Sequence, residues 1–198
     1  MTAFEVTDLS ALEILDSRGR PTLAVTVRLG DGTQARAGVP SGASTGSREA
    51  VERRDGDPDR YEGKGVLGAV SAVNTEIRDL LLGRPWISLA EADQAMIDLD
   101  GTANKSRLGA NATVGTSMAL ARALAASAGV QLWQWLAPDG VTPSLPVPHF
   151  NVLNGGVHAP NSLDFQEFMV APLGASSMAE AVRAYEAAIA RGVSSRGQ

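Results

Sequence analysis

The sequence predicts an α+β fold, strands first and helices after, followed by a shorter second segment that opens with strands again. Three observations carry this. Residues 22–29 alternate between apolar and polar side chains, the period of a half-buried strand. Residues 66–81 place apolar side chains at helical spacing, and residues 110–128 are alanine-rich and apolar nearly throughout. Residues 137–146, Ala-Pro-Asp-Gly-Val-Thr-Pro-Ser-Leu-Pro, hold four helix and strand breakers in ten positions and read as a linker.

Taken in order, Leu9 to about Pro40 form a three-stranded antiparallel meander. Asp16-Ser17-Arg18-Gly19 makes the first turn. Leu23, Val25, Val27 and Leu29 face one side of the middle strand, with Thr22, Ala24, Thr26 and Arg28 on the other. Asp31-Gly32 is a strong hairpin signal, and Thr33 to Val39 return as the third strand. Ser47 to Arg54 read as a short helix, with Arg53, Arg54 and Asp55 as a solvated face. Val66, Val70, Val73, Ile77, Leu80 and Leu81 mark a longer helix that Gly83 and Pro85 end. Ser88-Leu89-Ala90-Glu91 is a capping box opening a helix that stops near Asp100-Gly101. Ala110 to Ala128 form a buried helix. Beyond the linker, Val147 to Leu153 and Phe165 to Ala171 read as strands. Ser177-Met178-Ala179-Glu180 caps a helix running to about Ala190, and a frayed tail follows.

Composition narrows the function. At 198 residues the chain suffices for one large domain, or one domain and part of another. Net charge −5 and a pI near 5.0 argue against non-specific nucleic-acid binding, which needs a basic surface. Without cysteine there is no disulfide, thiolate metal site or cysteine nucleophile. No secretory or transit signal and no membrane span are read, so the expected location is cytoplasmic. The glycosylation-like triplets at Asn104 and Asn111 are then chance matches.

Three segments could carry chemistry. Pro40-Ser41-Gly42-Ala43-Ser44-Thr45-Gly46 is small and hydroxyl-rich. Its backbone can approach a ligand and its hydroxyls can complete a magnesium shell, although taken alone it also reads as a surface loop. Asn154-Gly155-Gly156-Val157-His158 followed by Gln166-Glu167 puts a histidine, an amide and a carboxylate beside a glycine turn. Histidine can bind an anion or move a proton, and a buried carboxylate can act as a general acid. Asp100 to Ala112 is a polar loop leading into a small-residue helix, read as close helix packing with a capped start. His149, the second histidine, reads as structural.

Together these segments resemble the enolase family. The resemblance is carried, in order, by Asp16-Ser17-Arg18-Gly19, Val39 to Gly46, Asp100 to Lys105, Gly109 to Ala112, Asn151 to Gly156, and Gln166-Glu167-Phe168-Met169. It implies an N-terminal α+β domain over 1–136, a linker over 137–146, and over 147–198 the start of a modified β/α barrel. It implies a glycolytic lyase that reversibly dehydrates 2-phosphoglycerate to phosphoenolpyruvate with Mg2+. By resemblance Ser44 is the loop serine that joins a second magnesium. His158 contacts substrate, and Glu167, with Gln166 beside it, lies near the departing hydroxyl. The lysine base, the principal proton-donor glutamate and the three main magnesium carboxylates of the family have no counterpart among these residues. The isolated chain is therefore expected to be inactive, and the family's homodimer, which uses barrel surface, is not expected of it. Val157 and Pro160 depart from the small residues usual beside the histidine, and 187–198 departs from the pattern altogether. A non-catalytic enolase-like remnant or interaction module is the alternative.

Overall fold

The computed structural model describes residues 3–42, 45–156, 159–160 and 162–194. By contacts the chain divides into Met1–Val141 and Thr142–Gln198. In the first unit, β1 (Phe4–Leu15), β2 (Pro21–Leu29) and β3 (Gln34–Gly38) form the meander. With β4 (Pro85–Trp86) they make one sheet in the order β3-β2-β1-β4. Both expected turns are present. Gly19 and Gly32 take left-handed backbone at φ +72° and +86°, which glycine adopts without steric cost. The Asp16 carboxylate accepts from the amides of Arg20 and Arg18, which hold its pKa below the usual carboxylate range.

The strands bury Val6 and Leu9 of β1, and Leu23, Val25, Val27 and Leu29 of β2. The middle strand is more enclosed than its alternation predicts, because Thr22 and Ala24 are buried as well. Both are small, and the Thr22 hydroxyl is spent on the Val39 carbonyl at 2.8 Å.

Helices cover the sheet. α1 (Leu67–Ala72) runs through a π segment (Val73–Ile77) into α2 (Arg78–Leu81), with Val73, Ile77 and Leu81 fully buried. The wider π turn carries Asn74. Its amide accepts from the Ala11 N–H at 2.7 Å and donates to the Ala11 carbonyl at 3.1 Å, so a side chain pairs with β1 as a neighbouring strand would. Trp86 is fully buried and donates its indole N–H to the Leu81 carbonyl at the end of α2. α3 (Leu89–Asp100) opens on Ser88, whose hydroxyl accepts from the Glu91 amide, and closes on left-handed Gly101. The Glu91 carboxylate reaches back to the Ile87 amide, one residue beyond the usual partner of a capping box.

α4 (Ala110–Ser127) lies directly against β2 and β3. A Cβ on Gly115 would stand 2.7 Å from Val39 Cγ2 and 2.9 Å from Val25 Cγ2, so the missing side chain is what lets helix and sheet approach. α5 (Leu132–Leu136) ends the unit's regular structure, and residues 137–149 contain no helix or strand.

Residues 47–54 are not helical. Their backbone pairs outward instead. Val51 N–H donates to Asn104 O, Ala110 N–H donates to Val51 O, and Arg53 N–H donates to Asn111 Oδ1. Distant partners have replaced the i to i−4 bonds of the expected helix. The trio read as a solvated face is likewise engaged. Arg53 donates to Arg107 O, Arg54 donates to the carbonyls of Pro21 and Lys64, and the Asp55 carboxylate accepts from the Leu67 and Gly68 amides at the start of α1.

In the second unit, β5 (Phe150–Asn154) and β6 (Glu167–Val170) form an antiparallel pair, followed by α6 (Met178–Ser194). β5 starts three residues later than the expected strand Val147 to Leu153, after Pro146 and Pro148. α6 runs past Ala190 into the stretch expected to fray, and residues 195–198 lie outside the described ones. The Phe150 and Tyr185 rings stack with centroids 4.5 Å apart, and Ala181 is the one buried apolar residue described here. Among the described residues no helix is long and apolar enough to cross a membrane.

Candidate functional site

The Gly155-Gly156 turn follows β5 and bonds to the residues that lead into β6. Gly155 N–H donates to Gln166 O at 3.0 Å, and Gly156 N–H donates to Leu163 O at 2.7 Å. A Cβ on Gly155 would lie 2.4 Å from Phe165 O and 2.7 Å from both Leu163 O and Leu163 Cβ. No side chain fits there, so the glycine is required by the close approach of the 163–166 backbone. Gly156 is left-handed at φ +57°.

This turn fixes the register of the pair. Glu167 stands opposite Asn154, one step beyond the hydrogen bond that Gln166 accepts. Gln166, Glu167 and Asn154 are thus brought to one end of the hairpin, and all three are exposed. The burial that general-acid use of Glu167 needs is not provided by the described residues. Asn151 donates from Nδ2 to Asn154 Oδ1 at 2.6 Å, while its own Oδ1 is shielded and has no hydrogen-bond partner among the described residues. Ser44 and His158 lie outside the described residues. His149 is exposed, with Nδ1 3.1 Å from Val147 O, so it is a local surface group and not a core one.

The residues leading to Ser44 form a well-tied stem. Val39 N–H donates to Leu23 O. At Ser41 the hydroxyl donates to Glu52 Oε2 at 3.1 Å and accepts from Arg54 Nη2 at 2.8 Å. Arg18 Nη2 donates to the Ser41 carbonyl at 2.7 Å. Arg54 also donates from Nη1 to Pro21 O at 2.6 Å and to Lys64 O at 2.8 Å, and from Nη2 to Glu52 at 2.6 Å. The sequence reading missed this cluster. Glu52 and Arg54 are two apart, which places them on one side of an extended chain but not of a helix. The helical expectation for 47–54 therefore hid the one available signal.

The segment from Asp100 to Ala112 is structural. Asp100 is nearly fully buried and accepts from the Leu108 amide at 2.7 Å, from the Thr102 amide at 3.0 Å and from the Thr102 hydroxyl. Asn111 closes the other end, accepting from Arg53 N–H and donating to Arg53 O at 3.1 Å. Gly109, at φ +102°, has no room for a Cβ against Arg53 and Asn111.

Among the described residues no group of three or more histidine, aspartate or glutamate side chains could hold a metal ion. The described residues by themselves do not make a divalent-cation site.

Two family models match the sequence. One, described as the enolase N-terminal domain, covers residues 6–136, and the other, the enolase C-terminal TIM barrel domain, covers residues 142–190. The first spans the sheet and helices up to α5, and the second spans the hairpin and most of α6. The antiparallel meander, the helices laid over it and the glycine-hinged hairpin ending in Gln166-Glu167 therefore belong together as parts of one known architecture: the chain is a member of the enolase family.

Proposed function

We propose that this chain contributes one part of a site for the reversible dehydration of 2-phosphoglycerate to phosphoenolpyruvate, the magnesium-dependent lyase reaction of glycolysis. The parts are an N-terminal domain over 1–136 and the start of a barrel over 147–198, joined by the linker 137–146. In this reading Gln166 and His158 bind substrate through hydrogen bonds. Glu167 assists the departing hydroxide by giving it a proton. Ser44 offers its hydroxyl to a magnesium ion, which when bound would stabilise negative charge on the substrate. The observation that carries the reading is the Gly155-Gly156 turn. It leaves no room for a side chain at Gly155 and sets Gln166 and Glu167 together at the hairpin end.

The proton acceptor must come from elsewhere. The only lysines in the sequence are Lys64 and Lys105, and neither lies in 142–198. Stabilisation of developing charge is usually the largest catalytic contribution, and losing one such donor costs about 10²–10³ in rate. The isolated chain should therefore not turn over.

A dehydration assay tests this. Purified chain with 2-phosphoglycerate and Mg2+ should show no turnover. Mixed with a polypeptide carrying the later part of an enolase barrel, it should gain turnover that chelation removes and that Glu167→Gln lowers at least about 100-fold. Turnover by the isolated chain, unaffected by Glu167→Gln and His158→Ala, would contradict the assignment.

A second reading has one observation in its favour. Leu145, Phe165 and Leu173 of the second unit are each about three-quarters exposed. Apolar surface of that kind suits a non-catalytic interaction module, which would remain inactive in every mixture.

A further inference from the structure

We propose that Arg54 is a positioning residue: it holds Ser41 as the fixed point from which the loop carrying Ser44 departs, with Glu52 and Arg18 completing the clamp. The inference rests on the functional reading above, which gives that loop its purpose, but its geometry is independent of it.

Two residues before the clamp the chain is already fixed, because Val39 is bonded to β2 through both its N–H and its carbonyl. The far end of the loop is fixed at Val51, bonded to Asn104 and Ala110. Between Ser41 and Val51 the only backbone–backbone bond among the described residues is a local one, Glu49 N–H to Gly46 O. Where the loop starts, and in which direction, is thus set at Ser41.

Arg54 sets it by joining separate pieces of the fold. Its two terminal nitrogens donate to Pro21 O at the start of β2, to Lys64 O, to Glu52 Oε2 and to Ser41 Oγ. The Ser41 hydroxyl is used in both senses, accepting from Arg54 and donating to Glu52, so it has one orientation. The carbonyl of the same residue is held by Arg18 from the β1–β2 turn. A guanidinium can serve these acceptors because it is planar and presents several donors in fixed directions. An ammonium at the same position could not reach them together. Side chains of Arg54 and Glu52 are 26% and 32% exposed, which shields the pair from full solvent competition.

The absence of cysteine makes a direct test available. Thr45→Cys takes a single nitroxide label within the loop, and Ser71→Cys on α1 takes one at a control position. In the full chain, Arg54→Gln should shorten the rotational correlation time at Thr45 by about two-fold or more and leave Ser71 unchanged. Arg54→Lys should not restore it. Ser41→Ala should give part of the same change, and adding Arg54→Gln to it should give less than Arg54→Gln alone gives. Arg60→Gln removes a neighbouring arginine that binds Glu13 instead, and it should leave Thr45 unchanged.

If Arg54→Gln leaves Thr45 unchanged, or if Arg54→Gln and Arg60→Gln loosen both labels alike, the positioning role is wrong. Should Arg54→Gln fail to fold, Ser41→Ala decides: an unchanged label at Thr45 overturns the proposal. Since no turnover is measured, failure here leaves the dehydration reading standing, and failure of that reading leaves the clamp standing.

Discussion

Asp93 carries a carboxylate with one of its oxygens in use among the described residues. Ser117 donates to Oδ2 at 3.1 Å, while Oδ1 is shielded and has no partner among those residues. Burial therefore raises its pKa above the ordinary 3.8. Glu13 is the opposite case. The Arg60 guanidinium, bonded through both terminal nitrogens, and the Val66 amide hold its pKa below the ordinary 4.5. The two signs give opposite pH dependences. A raised acid is a penalty that is absent below pH 3.8 and grows as pH rises through the folded value. The stability of Asp93→Asn relative to the natural chain should thus improve with rising pH across that window and then level off. A lowered acid stabilises above pH 4.5 and loses that contribution as pH falls through its folded value. Glu13→Gln should lower the melting temperature at neutral pH, with the gap closing in acid. Thermal melts of both variants at several pH values check the pair, and parallel curves for variant and natural chain would refute either one.

At the scale of elements, the contact between α4 and the sheet depends on Gly115. Gly115→Ala gains about 1 kcal/mol of helix propensity. It also drives a methyl into Val39 and Val25, and overpacking of this kind costs about 1–3 kcal/mol. The helix should therefore lose stability from a substitution that favours it in isolation, and Val39→Ala in the same chain should recover part of the loss. Denaturant unfolding of the single and double variants measures this. The same contrast between local preference and distant partners governs what could be read in advance. The meander was legible because period-two alternation and two glycine turns are local signals. The Ser88 and Ser177 caps were legible for the same reason, and both hydroxyls accept from the expected amides. Residues 47–54 were not, because their bonds go to Asn104, Ala110 and Asn111, far along the chain. The π segment was missed because its buried Val73 and Ile77, with Leu81 of α2 after them, also fit ordinary helical spacing. In the candidate site, Gln166 and Glu167 at a glycine turn were visible as a motif. The Arg54 clamp draws its acceptors from β2, the 55–66 segment and the loop stem, which no short window contains.

Over the whole molecule the core is unevenly shared. The buried apolar cluster runs from Val6 to Ala123, all of it within the first unit. Among its described residues the second unit has two strands, each with one edge unpaired by any described strand, and Ala181 as the buried apolar residue. Little apolar burial is then available to offset the ordering of its backbone. Ser44 belongs to a loop rooted in the strong unit, and Glu167 belongs to a hairpin in the weak one. In this account the chain folds firmly around its sheet, while residues 142–194 need further apolar partners to hold Gln166 and Glu167 in place. Amide hydrogen exchange on the full chain tests that most directly. Amides of β1, β2, β3 and α4 should exchange slowly and together, and those of β5, β6 and α6 at least about 100-fold faster. Equal protection of the hairpin and the sheet would contradict it.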